Sequence, residues 1–517
     1  MDKVRILWVD DEIEMLKPHI LFLDQKGYDV DTSNNGDDAL EMIMEGIYDI
    51  ILLDENMPGL TGIETLEKIK AAYPGLPVVM ITKSEEESIM EDAIGSNISD
   101  YLIKPVKPNQ ILLTLKKNLE NKKLVSEKTT LSYQQEFRNI SMEISANPGY
   151  QGWIDIYKKL TRWELELEKS SDESMAEILQ MQKDEANQVF SRFVESNYLD
   201  WIHGRSRERP VMSPMLFKEK IFPHLNGKEP LFVLLVDNLR YDQWKAVQPL
   251  IEDYYRVDKE ELYYSILPTT TQYARNAIFS GLMPLEIQRK YMKYWVSEEE
   301  EGSKNQYEEE FLGEYLKRYG KDVKYNYNKI LNLTAGKKLV DSLPNLMNNK
   351  LVVIVYNFVD MLSHARTEME IIRELADDER AYRSLMVSWF NNSPLFDVVK
   401  FLAEKKASLV ITTDHGSVRT QNPVKVVGDR NTTTNLRYKS GKSLNYDPDE
   451  VFEVKNPHDA YLPKTNVSSA YIFCKKNDFF AYPNNYNYYV NFYKNTFQHG
   501  GISMEEMLVP IIYLKAK

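Results

Sequence analysis

The sequence is almost free of cysteine, with Cys474 as the single example in 517 residues. One cysteine excludes an internal disulfide, and such a chain suits the reducing conditions of the cytosol. The first residues also lack the long apolar core of a signal peptide. No apolar run reaches the roughly 18 residues that a membrane span needs. We therefore expect a cytoplasmic protein without membrane insertion.

An excess of positive charge is also absent, because the formal net charge is −14. That charge argues against a protein that coats DNA, since such a protein needs a basic surface. No segment has the pattern of a DNA-recognition helix either. A chain of this length is expected to form about three domains.

The first 119 residues alternate short apolar runs with helical segments, which predicts a parallel sheet. The four clearest runs end at polar residues, and ligands bind beyond the carboxyl ends of parallel strands. We therefore expect these polar side chains to converge: Asp10, Asp11, Asp54, Thr82 and Lys104.

These residue types suit phosphoryl chemistry. A divalent cation such as Mg²⁺ relieves the repulsion within a carboxylate cluster by taking oxygen ligands. Asp54 can then attack a phosphoryl group and form an aspartyl phosphate. Lys104 offers a cation and Thr82 a hydroxyl to the phosphoryl oxygens.

Together with Met57-Pro58-Gly59-x-x-Gly62, this set resembles a bacterial response-regulator receiver domain. The resemblance implies a flavodoxin-like fold, phosphorylation of Asp54 by a sensor histidine kinase, and a relay through Thr82 and Tyr101. It also implies that phosphorylation pairs two copies through the face bearing Tyr101 and the helices near residues 86–95 and 109–119. The implied magnesium ligands are Asp10, Asp11, Asp54 and Asn56.

Residues 120–205 are expected to form a helical-bundle linker. Apolar residues at helical spacing predict helices over 109–125, 153–167 and 174–196. Asn147-Pro148-Gly149 predicts a break between the first two. The helices either transmit the state of the receiver or form a passive bundle, and the sequence favours neither interpretation.

From residue 206 to 517 the chain alternates again, which predicts an α/β domain with a central, mostly parallel sheet. Asp237, Asp360 and Asp414 lie at or just beyond the ends of apolar runs. Only seven histidines exist in the chain, and His364, His415 and His499 accompany these aspartates or the last strand.

Carboxylates combined with imidazoles suit zinc better than magnesium. Asp360 and His364 are four residues apart, so a helix or turn can direct both at one ion. Two such ions can bind the attacking and leaving oxygens of an in-line displacement. Thr271 lies within Thr269-Thr270-Thr271 and is the candidate nucleophile, although a threonine triplet by itself favours a turn or a helix cap.

The order of these residues resembles the alkaline phosphatase superfamily over roughly residues 206–517, with inserted loops, and the domain looks like the PglZ type of that superfamily. The resemblance implies one zinc ion held by Asp237, Thr271, Asp414 and His415, and a second held by Asp360, His364 and His499. Threonine at the nucleophile position is typical of phosphodiesterases, whereas sulfatases and phosphoglycerate mutases use other residues there. We therefore expect a phosphodiesterase for nucleotides or oligonucleotides, linear or cyclic.

A receiver joined to a PglZ-type domain resembles response regulators linked to type IX secretion. In that interpretation the partners are a cognate sensor kinase, the nucleotide substrate and, after phosphorylation, a second copy of the chain. The alternative is a signalling scaffold whose phosphatase-like domain binds a partner such as a sigma factor without turnover.

Two other segments have open interpretations. The basic insert from Arg419 to Lys442 either attracts phosphates or forms a solvated loop. The tyrosine-rich segment from Tyr482 to Tyr493 either stacks bases or, as we favour from sequence, packs an inserted subdomain.

Overall fold

The computed structural model describes residues 4–83, 98–169, 173–227, 229–297, 300, 302–376, 378–429, 432–464 and 468–517. The chain forms two compact units. The first contains Met1–Gln135 and Lys169–Glu173, and the second contains Glu136–Glu168 and Ser174–Lys517. Part of the predicted pairing face, residues 86–95, lies outside the described residues. No helix within the described ranges is both long and apolar enough to cross a bilayer.

The first unit is built on a parallel five-stranded sheet with the order β2-β1-β3-β4-β5. Its strands are β1 Val4–Val9, β2 Tyr28–Ser33, β3 Ile50–Asp54, β4 Val78–Thr82 and β5 Asp100–Ile103. Its first three helices are α1 Lys17–Gln25, α2 Gly36–Glu45 and α3 Gly62–Ala72. A short 3-10 turn at Ile13–Leu16 directly precedes α1. Apolar clusters cover both faces of the sheet, as parallel strands require. This is the flavodoxin-like order predicted from the sequence.

Three long helices follow: α4 Pro108–Ser145, α5 Tyr150–Glu168 and α6 Glu173–Ile202. The predicted break is confirmed, because α4 ends before Asn147-Pro148-Gly149 and α5 begins just after it. Within the second unit, α5 and α6 pack on each other and on the central sheet of that unit. Trp153 meets Phe190 at 5.4 Å between ring centroids, and Trp201 meets Tyr264 at 5.4 Å.

The second unit contains a six-stranded sheet with the order β7-β18-β10-β6-β9-β8. Four neighbouring strands are parallel, whereas β18 runs antiparallel to both β10 and β7. The sheet is therefore mixed but mostly parallel. Its strands are β6 Leu231–Val236, β7 Tyr255–Tyr264, β8 Tyr325–Ile330, β9 Leu351–Tyr356, β10 Ser408–Thr412 and β18 Leu508–Ala516.

The remaining strands form three small sheets that pair β11 with β17, β12 with β16, and β13 with β15 and β14. They belong to the region inserted between β10 and β18. Their bounds are β11 Val418–Arg419, β12 Asn422–Lys425, β13 Tyr438–Gly441, β14 Val451–Val454, β15 Ala470–Cys474, β16 Asp478–Ala481 and β17 Phe497–Gln498.

Helices flank the large sheet and carry part of the site. Their bounds are α7 Tyr241–Glu252, α8 Asn276–Ser280, α9 Pro284–Lys290, α10 Glu308–Arg318, α11 Leu333–Leu346, α12 Phe358–Glu368, α13 Glu370–Leu375, α14 Glu379–Asn391, α15 Pro394–Glu404, α16 Tyr486–Tyr493 and α17 Met504–Met507. Short 3-10 or π turns occur at Ser213–Met215, Phe217–Ile221, Phe222–Asn226, Thr271–Arg275, Pro448–Glu450 and Pro457–Ala460.

Three parallel neighbours, β10, β6 and β9, end at the same edge of the sheet. The register pairs Leu235 with Thr412 and Val236 with Tyr356. The residues that follow these strands therefore come together, and they include Asp237, Asp360 and Asp414. The fold thus places the three candidate metal-binding carboxylates at one sheet edge, as the strand pattern predicts.

Candidate phosphorylation site and candidate two-metal site

The polar residues at the sheet edge of the first unit converge as expected. One carboxylate oxygen from each of Asp10, Asp11 and Asp54 lies within 4.8 Å of the others. Lys104 Nζ lies 2.9 Å from Asp10 Oδ2 and 3.0 Å from Asp54 Oδ1. Asp10 and Asp54 are buried, whereas Asp11 is exposed. Burial raises the pKa of Asp54 to about 6, against the opposing effect of Lys104.

The two predicted relay residues differ in their surroundings. Thr82 is buried, and its hydroxyl donates a hydrogen bond to Glu55. Tyr101 is exposed, as is the predicted magnesium ligand Asn56. Glu55 was not recognised from the sequence, because a glutamate after a strand-end aspartate carries no pattern of its own.

The first donor cluster of the second unit contains Asp237, Asp414 and His415. One ligand atom from each lies within 4.8 Å of the others, and all three side chains are buried. His415 Nε2 is 3.7 Å from Asp237 Oδ1 and 3.8 Å from Asp414 Oδ2. Donors from two strand ends therefore face one point.

Thr271 faces the same point. Its hydroxyl donates to Asp237 Oδ1 at 3.2 Å, and its Oγ1 lies 3.1 Å from His415 Nε2. Thr271 begins the short π turn Thr271–Arg275, which follows the extended residue Thr270. The turn interpretation of the threonine triplet is thus correct locally, and the same turn directs Thr271 into the cluster.

The second donor cluster contains Asp360, His364 and His499. Asp360 and His364 lie on α12, with 3.6 Å between Asp360 Oδ2 and His364 Nε2, as their four-residue spacing predicts. His499 Nε2 is 3.5 Å from Asp360 Oδ1. The His364 side chain is 60% exposed, so the site opens to solvent on this side.

The two clusters adjoin each other through two histidines. The rings of His415 and His499 stack with 4.3 Å between their centroids and 19° between their planes. Asn238 lies between the clusters, because its backbone N–H donates to Asp414 Oδ1 and its side-chain amide donates to Asp360 Oδ1, each at 3.4 Å. Two ions bound here would be close neighbours, as two-metal sites require.

Burial shapes the protonation of these groups. The pKa of Asp414 lies well above its ordinary value because the carboxyl is buried and Asp237 lies nearby. Burial, with the charge of Asp237 adding to it, raises the pKa of Asp360 to about 6. Burial acts to raise the pKa of Asp237 as well, but Arg275 and His415 outweigh it and the pKa is lowered.

The two inner histidines have lowered pKa values. Burial lowers the pKa of His415. Burial, together with the neighbouring His415 and His364, holds the pKa of His499 well below its ordinary value. Both rings are therefore neutral near pH 7, which is the form that binds a metal ion.

Arg275 is a buried residue of this site, and no role was assigned to it from the sequence. Its Nη1 lies 2.8 Å from Asp237 Oδ2, and its Nε donates to Glu308 Oε1 at 2.6 Å. Lys329 Nζ lies 3.1 Å from the other oxygen of Glu308. Arg275 thus fixes the orientation of the Asp237 carboxylate. Its guanidinium forms ion pairs with both Asp237 and Glu308.

The loop after β10 is held by close backbone contacts. Ser265 Oγ donates to the carbonyl oxygen of Asp414 at 2.7 Å, and Tyr263 donates to that of Thr413. A Cβ on Gly416 would lie 2.0 Å from the carbonyl oxygen of Glu505, so only glycine fits there. These contacts set the direction of Asp414 and His415.

A third acidic group contains Glu164, Asp242 and Glu379. Cations already surround it, because Arg383 Nη1 is 2.8 Å from Glu164 and 2.6 Å from Asp242, and Arg240 Nη2 is 2.5 Å from Glu379. We therefore interpret it as a structural ion network.

The structure describes most of the basic insert and all of the tyrosine-rich segment, for which the sequence left two interpretations each. In the basic insert, Arg437 is buried against Glu506 at 2.6 Å, and Lys439 is buried with its amine donating to the Thr433 carbonyl. Neither interpretation of the insert holds for these two residues, whereas Arg430 lies outside the described residues. The packing interpretation of the tyrosine segment holds for Tyr482, which packs on an apolar cluster. In α16 no side chain is fully buried: Tyr486, Phe492 and Tyr493 are half-buried, whereas Tyr488 and Tyr489 are exposed.

The chemistry of the donors fits zinc in the second unit. Oδ2 of Asp414 is buried and accepts no hydrogen bond from any described residue, whereas Oδ2 of Asp237 pairs with Arg275 at 2.8 Å. Neutral imidazoles and carboxylates are the ligands that zinc prefers. In the first unit, three carboxylates face one lysine, and an oxygen-only set with this excess of negative charge fits magnesium.

Comparison with known proteins agrees with this architecture. Residues 6–116 match the response regulator receiver domain model, and residues 123–202 match the PorX response regulator linker domain model. Residues 216–514, more than half of the chain, match the BREX system PglZ alkaline phosphatase-like domain model.

Two individual relatives each match about a quarter of the chain. The transcriptional regulatory protein ResD of Bacillus subtilis (strain 168) is 34% identical over 115 residues, covering 22% of this chain and 48% of that protein. ZraR of Klebsiella oxytoca is 35% identical over 136 residues, covering 26% of this chain and 31% of that protein. The chain thus spans less than half the length of these curated relatives.

Among solved structures, a CheY-like receiver domain protein from Methanospirillum hungatei JF-1 is 28% identical. The match covers 23% of this chain and 96% of that one, with a TM-score of 0.23.

The fold and the matches define a response regulator with an alkaline phosphatase-like output domain. The chain belongs to the PglZ alkaline phosphatase-like family, and its order of receiver, linker and PglZ domain is that of a PorX-type response regulator. A receiver domain implies a cognate histidine kinase as partner.

Proposed function

We propose that this chain is a response regulator whose output is a zinc-dependent phosphodiesterase for nucleotides or oligonucleotides, linear or cyclic. Phosphorylation of Asp54 controls it, and its cellular role is in the regulation of type IX secretion. The domains are residues 1–119, 120–205 and 206–517. The observation that carries the proposal is the position of the Thr271 hydroxyl, which contacts both Asp237 and His415 beside a second donor cluster.

In this proposal Asp237, Thr271, Asp414 and His415 hold one zinc ion. Asp360, His364 and His499 hold the other. Bound zinc lowers the pKa of a hydroxyl and stabilises negative charge on the attacking and leaving oxygens. In the first unit, Asp10, Asp11, Asp54 and Asn56 hold Mg²⁺.

Thr271 attacks phosphorus, so that a Thr271 Oγ1–P bond forms while the P–O bond to the leaving alcohol breaks. Asp237 Oδ1 already accepts the hydrogen bond of this hydroxyl, and Arg275 keeps that carboxylate in place. Water then hydrolyses the phosphothreonine and releases the monoester. Threonine at this position and the phosphatase-like family support a phosphoryl-transfer reaction.

Control begins at Asp54. A phosphoryl group on Asp54 adds negative charge beside Lys104 and offers new acceptors to the Thr82 hydroxyl. In the unphosphorylated structure that hydroxyl donates to Glu55. Such a change shifts an equilibrium between states only through unequal stabilisation. Thr82 and the exposed Tyr101 are the residues through which we expect the change to reach the receiver surface.

Hydrolysis of bis(4-nitrophenyl) phosphate and of short oligonucleotides by the zinc-loaded full-length chain tests this function. We expect turnover that disappears on removal of zinc and returns when zinc is added. Zinc binding without turnover of any diester would favour the scaffold that binds a sigma factor or another partner.

A further inference from the structure

The stretch of chain before His499 has an unusual composition. Residues 479–504 contain no aspartate or glutamate, although the whole chain has a net charge of −14. The same stretch contains five asparagines, at 484, 485, 487, 491 and 495. An acid-free surface with amide groups and aromatic rings does not repel phosphates.

Helix α16 exposes aromatic rings of this stretch. Tyr488 is 65% exposed and Tyr489 is 39% exposed. Tyr488 lies parallel to Phe492 with 6.2 Å between centroids and 16° between planes, and Tyr489 lies parallel to Tyr493 at 6.2 Å and 10°. The helix therefore presents two ring pairs in regular order at its surface, and a concentration of exposed rings usually marks a binding surface.

Cations flank these rings. The guanidinium of Arg373 lies 5.2 Å from the centroid of the Phe492 ring, and Lys425 Nζ lies 5.1 Å from that of Tyr486. Rings for stacking, combined with cations for the backbone, are the features of single-strand nucleic acid surfaces.

The helix is tied to the elements that carry the second donor cluster. Thr420 Oγ1 donates to the Tyr493 carbonyl at 2.7 Å, which fixes the end of α16. Arg366, two residues after His364 on α12, donates to the Asn495 carbonyl at 2.5 Å. Tyr493 and His499 are six positions apart, so their Cα atoms are at most about 22 Å apart. A strand of roughly four or more nucleotides is the usual span of such surfaces.

We propose that α16, with Arg373 and Lys425, is a base-stacking platform for single-stranded nucleic acid. This inference rests on the proposed function and specifies its substrate class: an oligonucleotide whose scissile phosphate reaches Thr271 while bases several nucleotides away stack on Tyr488 and Tyr489. Every base has a face that can stack, so the platform is tolerant of sequence.

The first test is kinetic and uses the zinc-loaded full-length chain. The double variant Tyr488→Ala/Tyr489→Ala is expected to raise KM for a single-stranded oligonucleotide of about 12 nucleotides by at least about tenfold. Its kcat for the oligonucleotide and its turnover of bis(4-nitrophenyl) phosphate stay unchanged, because that diester is too short to reach the platform. Tyr488→Phe/Tyr489→Phe keeps the rings and is expected to keep KM.

The matched control is Tyr73→Ala, since Tyr73 is also 39% exposed but lies in the first unit. It should leave KM unchanged. A double alanine variant with unchanged KM for the oligonucleotide would overturn the platform. So would an equal loss of turnover on both substrates, which would mean damage to the catalytic site.

The second test measures binding alone, by fluorescence anisotropy of the labelled oligonucleotide at several salt concentrations. We expect weaker binding for the double alanine variant and a smaller salt dependence for Arg373→Ala. This measurement shows whether α16 binds single strands even if the protein hydrolyses no diester. In that case the proposed function fails and the platform stands. If the double alanine variant binds as the wild type does but no longer self-associates, α16 is a contact between copies of the chain and the platform is wrong.

Discussion

At the scale of the residue, the centre of the second unit is a set of buried carboxylates that one arginine partly neutralises. Asp237, Asp414 and Glu308 lie around Arg275, at N···O distances of 2.8, 3.8 and 2.6 Å. With Lys329 at 3.1 Å from Glu308, two cations face these three carboxylates, which leaves an excess of negative charge, and burial makes that excess costly. Metal ions bound here, as we propose, would remove this cost.

The Thr271 side chain gives the sharpest prediction at this scale. Thr271→Ala is expected to lower kcat by two or more orders of magnitude, because covalent catalysis is lost. Thr271→Ser keeps the hydroxyl and is expected to retain part of the activity. Steady-state turnover of bis(4-nitrophenyl) phosphate measures both, with zinc content and unfolding as checks on structure.

Thr270→Ala is the matched control for this prediction. Thr270 is buried beside Thr271, and its hydroxyl has no hydrogen-bond partner among the described residues. Full activity in Thr271→Ala would mean direct attack by water. Loss of activity only in Thr270→Ala would mean that the nucleophile is misassigned.

At the scale of the element, ion pairs join the linker helices to helices that flank the six-stranded sheet. Arg383 on α14 contacts Glu164 on α5 and Asp242 on α7, and Lys183 on α6 lies 2.7 Å from Glu164. Glu168 also pairs with Arg383. All of these contacts lie within the second unit, so α5 and α6 are structural parts of the catalytic body.

Removing Arg383 tests this role. Arg383→Met removes a buried cation that Glu164 and Asp242 share, although Lys183 stays beside Glu164 and Arg240 beside Asp242. We therefore expect a loss of about 3 kcal/mol in the free energy of unfolding, the lower end for a broken buried pair. Arg380→Met on the same helix removes an exposed arginine and should change little. Urea unfolding followed by tryptophan fluorescence compares the two variants, and equal midpoints would contradict the network.

Much of this arrangement could be predicted from the sequence. The positions of Asp54, Asp237 and Asp414 follow from apolar runs that end in acids, because parallel strands bring their carboxyl ends together. The α12 pair of Asp360 and His364 follows from its four-residue spacing. These predictions succeed because strand ends and helical spacing are local patterns.

The rest depends on distant pairings that leave no local pattern. Arg383 and Glu164 are 219 residues apart along the chain, and Arg275 and Glu308 are 33 apart. Nothing in either segment marks an arginine as buried. The exposure of α16 was also missed, since tyrosines at helical spacing equally suit a packed face.

At the scale of the whole molecule, the chain joins a phosphorylatable receiver to a phosphatase-like output. The receiver site and the candidate two-metal site lie in different compact units. We expect a phosphoryl group on Asp54 to act on the second unit through a change in the populations of whole-molecule states. Pairing of two copies through the receiver face is the change that we expect.

A phosphoryl mimic tests that expectation. With beryllofluoride and Mg²⁺, sedimentation at several protein concentrations is expected to show a shift from monomer to symmetric dimer. Asp54→Ala removes the acceptor and should abolish the shift while zinc binding is kept. A wild-type chain that stays monomeric, or an alanine variant that dimerises equally well, would exclude control by Asp54-driven pairing.

The central claim is that two zinc ions at one sheet edge perform phosphodiester hydrolysis. It is tested most directly by zinc content and diester turnover measured on the same samples of wild type, Asp360→Ala, His499→Ala and, as control, the exposed His458→Ala. The account predicts two zinc ions per chain and full turnover in the wild type and His458→Ala. It predicts loss of zinc and of most turnover in Asp360→Ala and His499→Ala. Unchanged zinc content in both of these variants, or undiminished turnover after zinc is removed, would contradict it.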